Sequence, residues 1–474
     1  MKKFIFIVFI VLLTLSTKAN TVISNIDDAI RIGLENNKDI KMKVIDLMVA
    51  DNGIKSALYD LLLPSISGGF KFSVLDPSTL EKSVSKVSSF KIVTNIIGPI
   101  TNVGFSIEEK TITNAFWDNY SLGFSVSYRV PYLVPIGLDV GYNSYILQVK
   151  NKELSELQYS KAVNDYIYNV KLAYYNYLFS KEFLKIVLET DKRLEENVKI
   201  AEANFKAGIF SDLEFIRAKV QLINNKPNLF SAQNNVKVQK LNLLVVLGID
   251  VSKVDEVEIE GNIEDIKREY SNVVIDFDKE KNKIIEKNLD LAILRKLVEI
   301  SEASKRVSLS ANRPIISLFF NYNYEFKKTN SFENERFWVD SWVAGVQLTI
   351  PLPDALSIPI SKSYLNIENS YLSAEKSLYN YQSTLNILMS QFEGIKLKIY
   401  ESMENIKAQE ANVEQARRSL EIITKRYEFG NASSIELIDA QLAYQQAEIN
   451  LLSSWITYVN NILNLNKITS EGKI

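Results

Sequence analysis

The chain has 474 residues with 55 basic and 57 acidic side chains, and it contains no cysteine and no histidine. The near balance of charge produces no overall field that would favour nucleic acid as a partner. The missing residue types exclude disulfides, zinc–thiolate sites, thiolate nucleophiles and the commonest general base. Catalysis by carboxylates alone, as in glycosidases, remains possible.

The N-terminus has the organisation of an export signal. Lys2 and Lys3 precede an unbroken apolar run from Phe4 to Leu13, and the small residues Thr17 and Ala19 follow. The run is shorter than the roughly 20 residues that a membrane-spanning helix needs. We therefore predict a signal peptide at 1–19, cleaved after Ala19, and an exported mature protein.

The second half of the sequence repeats the first. Between Pro64 and Pro314 the offset is 250, so the first half is expected to carry an insertion of about thirty residues before Gly123, within 75–118. The repeat divides the mature chain into a first unit at 20–250, a connector at 251–279 and a second unit at 280–474. Three further pairs share an offset of 222: Gly123 and Gly345, Pro131 and Pro353, Gly208 and Gly430.

Four segments alternate between apolar or aromatic residues and small or polar ones. This period of two predicts strands, either half-buried strands of a soluble sandwich or lipid-facing strands of a barrel, which have about 9–11 residues. The export signal and the segment lengths favour the barrel. Four strands cannot close a barrel alone, so several chains must share it. The four segments are 66–74, 120–130, 316–326 and 342–350.

The remaining segments are predicted to be helical. Residues 363–429 contain no proline and a single glycine, Gly394, and apolar residues recur there every seven positions, which predicts coiled-coil packing. The counterpart at 145–206 has a similar pattern. Shorter helices are predicted at 26–62, 212–247, 280–311 and 434–466.

A glycine-centred turn follows each long helix. The two turns lie in "ANFKAGIFSDLEFIRAKVQL" and "KRYEFGNASSIELIDAQLAY". "SDLE" and "SSIE" fit the S-x-x-E capping box, which gives Glu214 and Glu436 a purely structural role as the first interpretation. Asp439 lies beyond the cap, on the same side of the helix as Glu436.

The doubled halves, each with a hairpin, a long helix, a turn and a second helix, resemble the TolC-like outer-membrane factor family. The "ALYDLLLPSISGGF" stretch before the first strand is also typical. The resemblance implies an α+β membrane protein: a homotrimer with a twelve-stranded β-barrel in the bacterial outer membrane, four strands per chain, continued by a helical coiled-coil barrel in the periplasm. It implies a passive exit duct of a tripartite efflux pump or type I secretion system. The implied partners are outer-membrane lipid, a periplasmic adaptor and an inner-membrane pump of the RND or ABC type.

The resemblance also implies roles for residues at the turns. Glu436, Asp439 and Glu214 match acids that line the narrow tip of the duct, and Tyr427 matches an aromatic residue that holds the tip shut. Some members carry an arginine two residues after the second glycine, and here Ala432 stands in its place. The residues implied to form the tip turns and contact the adaptor are Gly208, Ile209, Phe210, Gly430 and Ala432.

Three alternatives compete with the duct. A trimeric adhesin with a coiled-coil stalk would place its membrane strands at the C-terminus, whereas this chain is predicted to end in a helix. A carboxylate enzyme would need two acids in a concave cleft, which long heptad helices do not build. A pump adaptor would have small β-domains around a single helical hairpin. We therefore predict a channel rather than an enzyme, with no metal and no cofactor.

Overall fold

The structure is a computed structural model that describes residues 21–62, 65–75, 86–97, 101–113, 117–129, 140–271, 273–311, 315–328, 336–349, 361–429 and 431–470. The predicted signal peptide at 1–19 lies outside these residues, as do Gly430 and the prolines compared above. The strands are β1 Thr21–Ile23, β2 Ser65–Leu75, β3 Lys86–Ile97, β4 Thr101–Thr113, β5 Trp117–Arg129, β6 Val257–Ile259, β7 Ile315–Lys328 and β8 Arg336–Thr349. The helices are α1 Ile26–Asn36, α2 Lys38–Leu62, α3 Val140–Lys206, α4 Asp212–Val246, α5 Ile263–Ser271, α6 Phe277–Lys287, α7 Leu289–Ala311, α8 Lys362–Glu428 and α9 Ser434–Ile468.

The chain divides into two compact units. One comprises Lys43–Tyr159 and Asp290–Thr384 and contains the large sheet. The other comprises Ser160–Leu289, Leu385–Ile474 and the segment up to Met42, and it contains the helix turns and the connector. Among the residues whose side chains the structure describes, most of the fully buried ones lie in this second unit, for example Leu194, Leu243 and Phe392.

The large sheet has six strands in the order β2–β3–β4–β5–β7–β8, and every neighbouring pair is antiparallel. The prediction of four strands per chain is therefore wrong. All four predicted segments form strands, but the predicted insertion contributes a further hairpin, β3 and β4, between β2 and β5. Its residues alternate less cleanly than those of the other strands, and for this reason the pattern did not reveal it.

The predicted apolar face of the sheet is exposed on the single chain. Leu318 and Phe320 of β7 and Trp342, Val346 and Leu348 of β8 are all exposed. A soluble sandwich would bury such a face against a second sheet. The exposed face therefore favours the lipid-facing interpretation.

The two long helices, α3 and α8, repeat each other closely. Each has 67 residues, and their first and last residues are separated by the same offset of 222. The following helices, α4 and α9, each have 35 residues and start 222 positions apart. The predicted helices agree with all four to within a few residues.

Asparagine interrupts the two helices that precede the sheet strands. The predicted helix 26–62 is broken at Asn37, whose N–H donates to Gly33 O while its side chain accepts from Ile40 N at 3.0 Å. The predicted helix 280–311 begins earlier, at Phe277, and is broken at Asn288, 251 positions after Asn37. Asn37 ends one helix and caps the next, and Asn288 ends α6 directly before α7 begins, so both predictions of an unbroken helix are wrong.

The connector at 251–279 is more regular than predicted. It contains β6, which pairs in parallel with β1, and the helix α5. The Tyr174 hydroxyl donates to Glu260 O at 2.8 Å, and the Tyr458 hydroxyl donates to Tyr270 O at 3.3 Å. The connector is thus attached to both α3 and α9.

Among the helices that the structure describes, none is sufficiently long and apolar to cross a membrane.

Candidate functional site at the helix turns

The first turn closes α3 through a Schellman arrangement. The Ile209 N–H donates to Asn204 O at 2.9 Å, and the Gly208 N–H donates to Phe205 O at 3.0 Å. Gly208 has a φ of 73°, in the left-handed region that glycine adopts without steric cost. The glycine-centred turn predicted after the first long helix is therefore confirmed at Gly208.

The second turn repeats the first as far as it is described. Gly430 itself lies outside the described residues. The Asn431 N–H donates to Arg426 O at 2.7 Å, the bond that corresponds to Ile209 and Asn204 at the offset of 222. The same backbone closure therefore follows both long helices.

Each helix after a turn begins with a complete capping box. The Ser211 hydroxyl accepts from Glu214 N at 3.3 Å, and Ser211 N donates to Glu214 Oε2 at 3.2 Å. The Ser433 hydroxyl accepts from Glu436 N at 3.3 Å, and Ser433 N donates to Glu436 Oε1 at 3.4 Å. The predicted capping role of Glu214 and Glu436 is confirmed.

The acids of the second turn lie on an exposed face of α9. Glu436 and Asp439 are exposed, whereas the adjacent Leu437 and Ile438 are buried. Spaced by three residues, the two carboxylates occupy neighbouring positions on one face. The same exposed stripe continues along α9 with small and polar residues only: Ala443, Gln446, Asn450, Ser453 and Thr457.

Arg426 supports the second turn in a way that sequence reasoning missed. Its Nη2 donates to Asn431 O at 2.9 Å, and its Nη1 lies 3.6 Å from Glu436 Oε2. Both side chains of this ion pair are about half exposed, so solvent screens it. The sequence feature that indicates this role is a basic residue in the last turn of a helix, where its side chain can donate hydrogen bonds to free backbone carbonyls. Arg426 thus lies before the second turn, whereas the position at which some family members carry an arginine, Ala432, lies after it.

Tyr427 connects the two turns. Its side chain is only 4% exposed, and its ring centroid lies 5.5 Å from that of Phe210. Burial raises the pKa of the Tyr427 hydroxyl, the Ser434 hydroxyl opposes the rise, and the Glu214 carboxylate adds to it. Among the described residues no group makes a hydrogen bond with the Tyr427 hydroxyl in acceptable geometry. Groups from both halves of the chain therefore meet at this tyrosine.

The residues expected to contact an adaptor differ in exposure. Ile209 is 68% exposed, Ala432 is half-buried, and Phe210 is half-buried because it packs on Tyr427. Phe210 is therefore only partly accessible to an adaptor. Phe429, which the sequence analysis did not single out, is 79% exposed beside the second turn. Ile209 and Phe429 thus present large apolar side chains to solvent, one at each turn.

Known proteins share this architecture. The family model described as outer membrane efflux protein matches residues 139–249 and 282–469. The outer membrane protein TolC of Vibrio cholerae is 20% identical over 328 residues, which are 67% of this chain and 70% of that protein.

Solved structures with a similar fold include outer-membrane channels. The Campylobacter jejuni CmeC outer membrane channel aligns with a TM-score of 0.69 at 17% identity, covering 97% of this chain and 90% of its own. The Neisseria gonorrhoeae MtrE outer membrane channel in its open state aligns with a TM-score of 0.65 at 14% identity, covering 96% and 93%. At these identities the likeness concerns the fold. Together with the family match, it shows that this chain belongs to the outer membrane efflux protein family of TolC-like channels, bacterial outer-membrane proteins that extend into the periplasm.

Proposed function

We propose that three copies of this chain form the outer-membrane exit duct of a tripartite efflux pump or type I secretion system. The duct is a passive channel that opens when a periplasmic adaptor and an inner-membrane pump dock at the helix turns. The observation that carries the proposal is the exposed pair of acids, Glu436 and Asp439, at the start of a wholly small and polar stripe on α9. Such a stripe suits the wall of a water-filled passage.

An exposed apolar seam on α4 supports assembly with further copies. Its members are spaced by three or four residues, or by one whole heptad, which is the pattern of a coiled-coil seam. On the single chain these side chains remain in solvent, although a monomeric protein rarely exposes such a continuous stripe. A second copy of this chain is the occupant that we propose. The exposed members are Leu213, Ile216, Val220, Ile223 and Phe230.

The two ends of the sheet support assembly as well. In the described sheet, β2 and β8 each pair on one side only. Unpaired backbone groups are costly in lipid, so each outer strand needs a partner. Pairing of β8 with β2 of the next copy satisfies both edges, and three copies close the ring.

Threefold symmetry brings six carboxylates together at the second turns, and Glu214 adds three more from the first turns. A ring of acids at a narrow passage favours cations over anions. Divalent and polyvalent cations bind to such a ring and block it. The channel is therefore cation-selective at its periplasmic end.

The docking surface for the adaptor comprises the exposed apolar residues Ile209 and Phe429, one at each turn. The helical hairpin of an adaptor would cover these side chains and remove them from water. Arg426 holds the second turn by contacts within the chain, to Asn431 and Glu436. Adaptor binding that draws Glu436 away from Arg426 thereby loosens the closed turn.

Charge-neutral variants test this function. Glu436→Gln keeps an amide able to complete the capping box, because Glu and Gln both serve at that position, and Asp439→Asn is close in shape. In planar bilayers the double variant is expected to lose much of its preference for K⁺ over Cl⁻ and its block by divalent cations. Glu404→Gln removes one exposed carboxylate per chain about 36 Å before the end of α8, away from the turns, and is the control for loss of charge elsewhere on the chain. Equal selectivity in all three proteins would leave capping as the whole role of Glu436.

A further inference from the structure

The inserted hairpin accounts for the length difference between the two halves. The offset between them falls from 250 at Pro64 to 222 at Gly123, a difference of 28 residues. The segment from Lys86 to Thr113, which contains β3, β4 and their connection, also has 28 residues. The first half therefore differs from the second by one complete hairpin.

This hairpin is paired along nearly its whole length on both sides. β3 pairs with β2 from Val87 to Ile97, and β4 pairs with β5 from Thr101 to Ile112. The β3–β4 ladder extends from Lys86 to Ile97. A hairpin that projected outside the sheet would leave β2 and β5 to pair with each other. Here it separates them completely.

The register extends both faces of the sheet through the hairpin. Residues directly opposite each other in neighbouring strands lie on the same face. One row is apolar or aromatic in all six strands: Ile66, Ile96, Val103, Val126, Phe320 and Ala344. The adjacent row has small or polar residues in five strands, Ser67, Asn95, Gly104, Ser125 and Asn321, and an apolar residue, Val343, in the sixth.

We propose that the hairpin β3–β4 is part of the membrane wall, so that three copies close a barrel of eighteen strands instead of twelve. The inference rests on the proposed trimer. Three sheets of six strands give eighteen. Since barrel diameter grows roughly linearly with strand number, the passage through the outer membrane is about 1.5 times wider than that of a twelve-stranded duct. This part of the duct therefore admits solutes that a twelve-stranded barrel excludes by size.

A pair of cysteines tests the position of the hairpin. Ser106 of β4 lies opposite Gly123 of β5, and a Cβ at Gly123 would lie 3.6 Å from Ser106 Cβ, a separation that a disulfide spans, so Ser106→Cys is combined with Gly123→Cys. The native chain has no cysteine, so any disulfide comes from the introduced pair. Ser125→Cys with Asn321→Cys joins β5 to β7 and is the positive control, because that ladder does not involve the hairpin.

Both pairs are expected to form disulfides within one chain in the outer membrane. The inference is overturned if only the control pair forms a disulfide while the Ser106→Cys thiol reacts with a membrane-impermeant reagent outside intact cells. That outcome would place the hairpin in an extracellular loop. It would leave the proposed duct intact, since the control strands and the trimer are unaffected.

Polymer exclusion measures the width directly. In planar bilayers, polyethylene glycols of increasing size are added to the extracellular side, where the barrel opens whatever the state of the periplasmic turns. The native channel is expected to admit polymers of about 1.5 times the hydrodynamic radius admitted by a variant lacking 86–113. Equal cut-offs for the two channels would overturn the wider barrel. A native protein that forms no channel would instead contradict the proposed function.

Discussion

Gly208 and Gly394 form a matched pair for testing the geometry of the first turn. Among the described residues, no atom beyond the local backbone and the adjacent residues lies within 4 Å of the position that a Cβ would occupy at either glycine, so alanine fits sterically at both. The two differ in backbone conformation. Gly208 has a φ of 73° at the end of α3, whereas Gly394 lies within the helix α8.

The conformations predict effects of opposite sign. Alanine in the left-handed region costs about 1–2 kcal/mol, so Gly208→Ala is expected to destabilise each chain by about that amount. Alanine in a helix interior is favoured over glycine by about 0.5–1 kcal/mol, so Gly394→Ala is expected to stabilise the chain. The variants should therefore differ by about 2 kcal/mol.

The assay is denaturant-induced unfolding of the detergent-solubilised protein, with both variants compared with the native chain at equal concentration. Gly208→Ala should shift the midpoint to lower denaturant concentration and Gly394→Ala to higher. A Gly208→Ala protein as stable as the native chain would refute the assignment of a left-handed residue to this turn.

Further predictions concern the helical unit. Tyr427→Phe removes a buried hydroxyl that has no hydrogen-bond partner among the described residues, so it should change the free energy of unfolding by less than about 1 kcal/mol. Tyr427→Ala also removes the buried ring and should lower the free energy of unfolding by about 3–5 kcal/mol. Burial raises the pKa of Glu448 above its ordinary value of 4.5, against the opposing effects of Tyr444 and Arg193. The protonated Glu448 side chain therefore contributes stability below pH 4.5, and this stability is lost as the pH rises through the raised pKa. Glu448→Gln should consequently raise the free energy of unfolding at pH 8 but not at pH 4. Equal stabilisation at both pH values would contradict the raised pKa. Cysteines at Ile209 and Phe429 should crosslink to the adaptor in cells, whereas a cysteine at Val274, which is 96% exposed on the connector, should not; equal crosslinking from Val274 would argue against docking at the turns.

The helices and turns could be predicted closely because the sequence contains an internal repeat. Each feature occurs once in each half, 222 positions apart, and the long helices contain no proline. The capping boxes around Ser211 and Ser433 depend on contacts between residues three apart, which a sequence displays directly.

The missed features depend on contacts that the local pattern does not display. Asn37 is compatible with a continuous helix by composition, and the break appears only because its backbone and side chain bond to residues on either side. β3 and β4 are stabilised by pairing with neighbouring strands rather than by their own alternation. Arg426 is one of several cations in its helix, and only the folded turn brings it to Asn431 and Glu436.

Ring closure between copies is the central claim, and disulfides between the outer strands test it most directly. Ser67→Cys on β2 is combined in turn with Ser341→Cys, Val343→Cys or Gln347→Cys on β8, and each variant is oxidised in the outer membrane. These residues lie on the same face of the sheet, the one with mostly small and polar residues. Three partners are tested because the stagger between copies decides which residue of β8 lies opposite Ser67 of the next copy. The duct predicts that at least one combination gives a covalent species of three chains and nothing larger. Monomers alone in every combination, or an open-ended ladder of larger species, would contradict it.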